Sequence, residues 1–144
     1  MGESDLAYGD IEKALLARFP ELRGPVEQTF GSYYDLASQT PEAYPLFEDV
    51  LQGLVLQLLK TGEDDGLVRR IFAFFEQMAS SSDRNVTDLL GIAILEPLTS
   101  DRAGIRCAWK YMGEKTKNLA KQTARSGGWQ DNLPPGDATP SNGE

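Results

Sequence analysis

The chain of 144 residues contains no histidine and a single cysteine. Without histidine, Ser-His-Asp and Cys-His catalytic arrangements, His-based zinc sites and the commonest general base are excluded. Cys107 alone cannot close an internal disulfide, and any metal site would rest almost entirely on carboxylates. Both features suit a reducing cytosol. Long apolar runs are missing as well, since nothing approaches the ~18 residues of a membrane span. The N-terminal MGESDLAYGDIEKALL lacks the basic flank and uninterrupted apolar stretch of a signal peptide. Leu6 stands where a myristoylation pattern requires Ser or Thr. A soluble, cytoplasmic protein with no membrane partner is expected. Phosphate-cradling and nucleophile-elbow motifs are also missing, and Gly127-Gly128 follows no strand.

What is present is acid. The formal net charge is −8, which argues against nucleic acid as a partner because phosphate binding needs concentrated Lys and Arg. The charge is unevenly placed: residues 1–105 carry a net −10, residues 106–125 a net +5, and residues 126–144 a net −3. An acidic body is therefore followed by one basic helix.

Apolar residues recur at helical spacing along most of the chain. Ile11, Leu15, Leu16 and Phe19 predict a helix over 5–18, ended by Pro20. Gly24-Pro25 opens a second helix, in which Val26, Phe30, Tyr33 and Tyr34 run to about Ser38. Leu46, Val50, Leu51, Leu54, Val55, Leu58 and Leu59 give 45–60 a wide apolar face, so this helix should be central. After the turn at Gly62, a helix over 65–79 should bury Val68, Ile71, Phe72, Phe75 and Met78. The next, 84–96, presents Val86, Leu89, Leu90, Ala93 and Ile94, with Pro97 disfavouring helical geometry at Glu96. Helix 101–112 turns Ile105, Ala108, Trp109 and Met112 inward. The basic helix 114–125 has little apolar face beyond Leu119 and Ala120 and should fray.

Six to seven helices joined by short loops imply antiparallel neighbours in an all-α fold, a bundle or a short α-solenoid of the HEAT or armadillo kind. A faint echo of residues 71–78 in 91–98 is what stacked hairpins would leave, and also what any two amphipathic helices show. One domain, 1–125, is expected. From Ser126 onward Gly, Pro, Ser, Asn and Asp dominate, so 126–144 is expected to be a disordered tail unless a partner docks on Trp129 and Leu133.

Candidate chemistry is sparse. Cys107, beside Arg106 and Lys110, is expected to be a buried structural thiol; an outward thiol there would be activated. Glu76 and Glu96 could approach each other as paired carboxylates for a metal-dependent enzyme, but neither belongs to an ExxE or ExxH arrangement. The expectation is that each caps a turn or pairs with an Arg, and that no cofactor or metal is bound. Glu48, Asp49, Glu63, Asp64, Asp65, Asp83 and Asp101 form a row of acids at or near helix starts. Helix dipoles account for such placement, and the same row would make a rim that attracts a basic protein.

Three segments carry a resemblance: Leu15-Leu16-Ala17-Arg18-Phe19-Pro20-Glu21-Leu22, Leu67 through Met78 with its Ile71-Phe72-Ala73-Phe74-Phe75-Glu76, and Val86 through Ile94-Leu95-Glu96-Pro97-Leu98. Together they resemble a family of small helical bacterial proteins without an assigned function, over about residues 11–120. Proteins of this sort are similar to the immunity proteins of bacterial toxin systems. The resemblance implies a non-catalytic module whose acidic face docks on a basic toxin domain and blocks its active surface; it carries over no contact residue, and the seven acids above are the candidates that this chain's own charge pattern supplies for long-range attraction. A helical scaffold acting through self-association and a carboxylate-dependent enzyme are the alternatives.

Overall fold

The computed structural model describes residues 6–32 and 34–135. Tyr33 and residues 1–5 and 136–144, with the parts of the first two helices and of the tail expected there, lie outside the described residues. Among the described residues the chain is all helical, with seven helices and no strand.

A 3-10 turn, Tyr8–Asp10, leads into α1, Ile11–Arg18. A second 3-10 turn at Pro20–Leu22 leads into α2, Arg23–Phe30. The second helix stops well short of Ser38 because local polar groups compete for the backbone. Asp35 accepts from the Ala37 N–H (3.3 Å) and the Ser38 hydroxyl (3.0 Å), and Gln39 Oε1 accepts from the Asp35 N–H (2.7 Å). Such side-chain partners favour turns over a continuing helix.

Helix α3 runs from Ala43–Leu46 through a π-helical turn, Phe47–Leu51, into Gln52–Thr61. Gly62, in the left-handed region at φ 67°, ends it, its N–H donating to Leu58 O at 2.9 Å. Helix α4 is Asp65–Ala79. Helix α5 repeats the design of α3, with Arg84–Leu89, a π turn Leu90–Leu95, and Glu96–Thr99. The expected stop at Glu96 is corrected: the helix passes through Pro97. Proline has no N–H to return to the carbonyl of Ala93 four residues back, and Gln52 Nε2 donates to that oxygen instead, at 3.0 Å. The two π turns pack against each other, which brings Gln52, the residue after the first, within reach of Ala93 in the second.

Helix α6, Arg102–Ala108, continues as a 3-10 turn, Trp109–Tyr111. Helix α7, Glu114–Gly127, does not fray. Thr116, Ala120 and Ala124, spaced by four, are completely buried, and their small side chains let α7 lie against α4 and α5. A hydrophobicity count undervalues such a face because it scores methyl area and not closeness of approach.

The core is shared by α3 and α4. Phe72, Phe74, Phe75 and Met78 are all essentially inaccessible. Phe74 joins the expected set because α4 is covered on a second side: its ring meets Phe19 edge-on at 5.8 Å, while Phe72 stacks on Tyr111 at 5.9 Å. Phe47, also absent from the periodic pattern, is turned inward in the first π turn. Helix α3 packs on α5 and α6 as well as on α4, and α7 closes over α4 and α5. In a solenoid each unit touches only its neighbours; this packing is a bundle. The echo between 71–78 and 91–98 fails at its second position, where Phe72 is buried and Ile92 exposed.

Two further expectations change. Cys107 is exposed, because the inward stripe of α6 is taken by Ile105 and Ala108. Residues 126–133, assigned by composition to the tail, pack on the body. Gly128, left-handed at φ 79°, turns the chain after α7, a 3-10 turn Gln130–Asn132 follows, and Leu133 is buried. Composition misjudged this stretch because its ordering is supported by partners elsewhere in the chain, described next.

Candidate functional site

Ile92 is the one large hydrophobic residue that stands exposed among the described residues, at 46%. It lies in the π turn of α5, whose other apolar members, Leu90, Ala93, Ile94 and Leu95, are all buried. π turns inside α-helices are frequent at functional sites. Beside Ile92 stands the indole of Trp129, which borders two adjoining depressions. One, of about 350 Å³, lies between α5 and α7 and is lined by Asp88, Gly91, Leu119 and Thr123, among others. The other, of about 500 Å³, reaches α3 and is lined by Glu48, Asp49, Gln52, Pro97 and Ser100. Ile92, Glu96 and Trp129 are common to both, so the two form one groove.

Trp129 is held from both sides in sequence. Its N–H donates to Ala124 O at 2.7 Å, and its ring covers Gly127 so closely that a Cβ there would sit 2.5 Å from ring carbons. Beyond it, guanidinium groups of α6 grip backbone carbonyls. Arg102 donates to Asp131 O (3.2 Å), and Arg106 donates to Asn132 O (3.0 Å) and Leu133 O (3.1 Å). Asn132 Nδ2 donates to Thr99 O at 2.9 Å. The strap thus caps the Thr99 carbonyl at the end of α5 and occupies two cations of α6, one of them, Arg106, from the basic segment.

The groove is acidic. Glu48, Asp49, Asp88 and Glu96 line it, and no Lys or Arg does. Asp88 has a partner in Arg84, at 3.9 Å on the exposed surface, a pair worth little in water. The carboxylates of Glu48, Asp49 and Glu96 make no hydrogen bond or ion pair among the described residues.

The acids singled out from sequence do not act alike. Asp64, Asp83 and Asp101 are helix caps, accepting from the N–H groups of Leu67, Asn85 and Gly104, each at 3.0 Å. Asp83 also accepts from the Tyr8 N–H at 2.8 Å, which fastens the N-terminal turn to the start of α5. Asp65 accepts from Tyr111 Oη at 2.6 Å and Arg69 Nε at 2.7 Å; the Tyr111 hydroxyl foremost, then Arg69, holds its carboxyl below the ordinary range. Glu63 is exposed in the turn before α4. Only Glu48 and Asp49 reach the groove, where Asp88 and Glu96 join them. Tertiary packing alone makes that association, although the exposed Ile92 could have been read as the one apolar residue off the inward stripe of α5.

Glu76 is occupied structurally. Its two oxygens accept from the N–H groups of Lys115 (3.1 Å) and Thr116 (2.9 Å) and from the Thr116 hydroxyl (2.8 Å), capping α7 from another helix. Burial pushes its pKa up, but the Thr116 and Lys115 donors outweigh that and leave it lowered. Among the described residues no three acidic or thiol groups are placed to hold a metal ion, and no helix is long and apolar enough to cross a membrane.

No curated protein and no solved structure matches the chain. A domain of unknown function, DUF7674, matches residues 12–127, from α1 through the last residue of α7. It covers all seven helices and ends two residues short of Trp129. The chain belongs to the DUF7674 family.

Proposed function

We propose that this protein is a non-catalytic, protein-binding module that receives a basic partner in the groove of Ile92 and Trp129. The observation that carries the reading is the coincidence of the exposed Ile92 with three unpaired carboxylates, Glu48, Asp49 and Glu96, along one shallow depression. Exposed apolar groups rimmed by charge of one sign are the usual make-up of an interaction site, and a carboxylate field speeds encounter with a cationic partner. The capping acids Asp64, Asp83 and Asp101 add to that field at long range, while their oxygens are engaged with backbone. Together with the resemblance to immunity proteins, this favours a basic toxin domain as the partner, its active surface occluded by docking.

Affinity capture from a native lysate at low and moderate salt tests the reading, with wild type compared with an Ile92→Asp, Glu96→Lys variant. A basic protein retained by wild type and released by the variant is expected, with weaker capture at higher salt. Capture of no protein, or of the same proteins by both forms, refutes it.

A further inference from the structure

We infer that the groove takes a peptide segment of the partner that bears an arginine side chain, stacked on Trp129 and paired with the carboxylates beside it. This rests on the binding function proposed above and specifies its chemistry.

Three features of the groove select arginine. Trp129 borders both depressions and is only partly buried, which leaves part of its side chain open to a group seated there. Glu96 borders the same two depressions, and Glu48 and Asp49 border the one toward α3, all three without partners among the described residues. A planar guanidinium satisfies an aromatic face and a carboxylate at once, which the compact, strongly hydrated ammonium of lysine does less well. Ile92 supplies the apolar contact for a neighbouring residue of the segment. The molecule already uses this combination internally: Arg69 pairs with Asp65 while lying over Tyr111 at 5.3 Å, and Arg70 pairs with Glu21 while lying over Phe19 at 5.6 Å. A metal ion does not fit, because these acids do not converge as a ligand set.

The experiment is an NMR titration of the full chain with a short leucine–arginine peptide, its lysine counterpart and its citrulline counterpart, reading backbone amides and the two indole N–H signals. The expected result is saturable shifts at Gly91, Ile92, Glu96 and Trp129. Arginine should bind more tightly than lysine, by up to about two- to fivefold, the size of a whole cation–π contact at an exposed site, with citrulline weakest. Glu96→Gln and Trp129→Leu should each weaken the arginine peptide and shrink its advantage. Equal binding of arginine and lysine peptides at the groove overturns the arginine inference and leaves the binding function standing. Shifts absent from the groove with every peptide overturn both. Groove shifts that track protein concentration without peptide would make a second copy the occupant, and likewise overturn the inference.

Discussion

Removing the Glu76 carboxylate should uncap α7. Glu76→Ala strands the N–H and the hydroxyl of Thr116, a residue with no accessible surface. A buried polar group left unpaired costs about 1–3 kcal/mol, and losing a negative charge at a helix N-terminus costs about 0.3–1 kcal/mol more. Glu76 is itself only partly buried, so water regains some of this, and the net loss should be about 2–3 kcal/mol. In a chain of this size that lowers Tm by roughly 6–12 °C. A second substitution makes the reasoning specific. A Cβ on Gly113 would lie 2.4 Å from the Glu76 carboxyl, while the Gly113 backbone, at φ −76° and ψ 175°, suits any residue. Gly113→Ala should therefore cost about 1–2 kcal/mol by displacing the carboxylate, and close to nothing once Glu76 is alanine. The assay is a double-mutant cycle by urea denaturation at neutral pH. Additivity within about 0.5 kcal/mol would show that the carboxylate is not seated there. The pH dependence has a definite sign. A folded-state pKa below the ordinary 4.5 stabilises fully above that value and less as pH falls through the folded-state pKa. The gap between wild type and Glu76→Gln should therefore close in acid, and a gap that widened there would refute the cap.

Phe75→Ala removes a ring with no accessible surface at the centre of α4 and should cost about 3–5 kcal/mol by denaturation; an unchanged transition would remove Phe75 from the core. Gln52→Ala leaves the Ala93 carbonyl without the donor that stands in for Pro97, and should cost about 1–2 kcal/mol with faster amide exchange confined to the two π turns. Gly127→Ala drives a methyl into the Trp129 ring, so the indole should swing outward and its fluorescence shift to the red; an unaltered spectrum would show that the ring does not cover this glycine.

The lesson for the site is that burial patterns located its parts and packing assembled them. Ile92 lies off the inward stripe of its helix in the sequence itself. Glu48 and Asp49 precede it by some forty residues, and only the contact between the π turns of α3 and α5 brings them alongside. Composition places Trp129 in a tail because a local window of Gly, Asp and Asn buries too little to order itself. Most of the partners that hold the strap lie outside the window, since Arg102, Arg106 and Thr99 come from earlier helices.

By itself, the sequence determined the features that depend on neighbours along the chain: six to seven helical segments from apolar periodicity, the acids at their starts, the stop at Gly62, and the exclusion of histidine chemistry. Tertiary structure decided whatever depends on approach between distant segments. It chose bundle over solenoid, carried α5 through Pro97 with a donor from α3, buried α7 by small residues at close range, and turned Cys107 outward. It also divided seven similar acids into three caps, Asp64, Asp83 and Asp101, one side-chain pair at Asp65, an exposed turn residue, Glu63, and the two that line the groove, Glu48 and Asp49. A carboxylate has the same charge in each place, and only the donors brought within hydrogen-bond reach decide whether it is spent on the fold or left free for a partner.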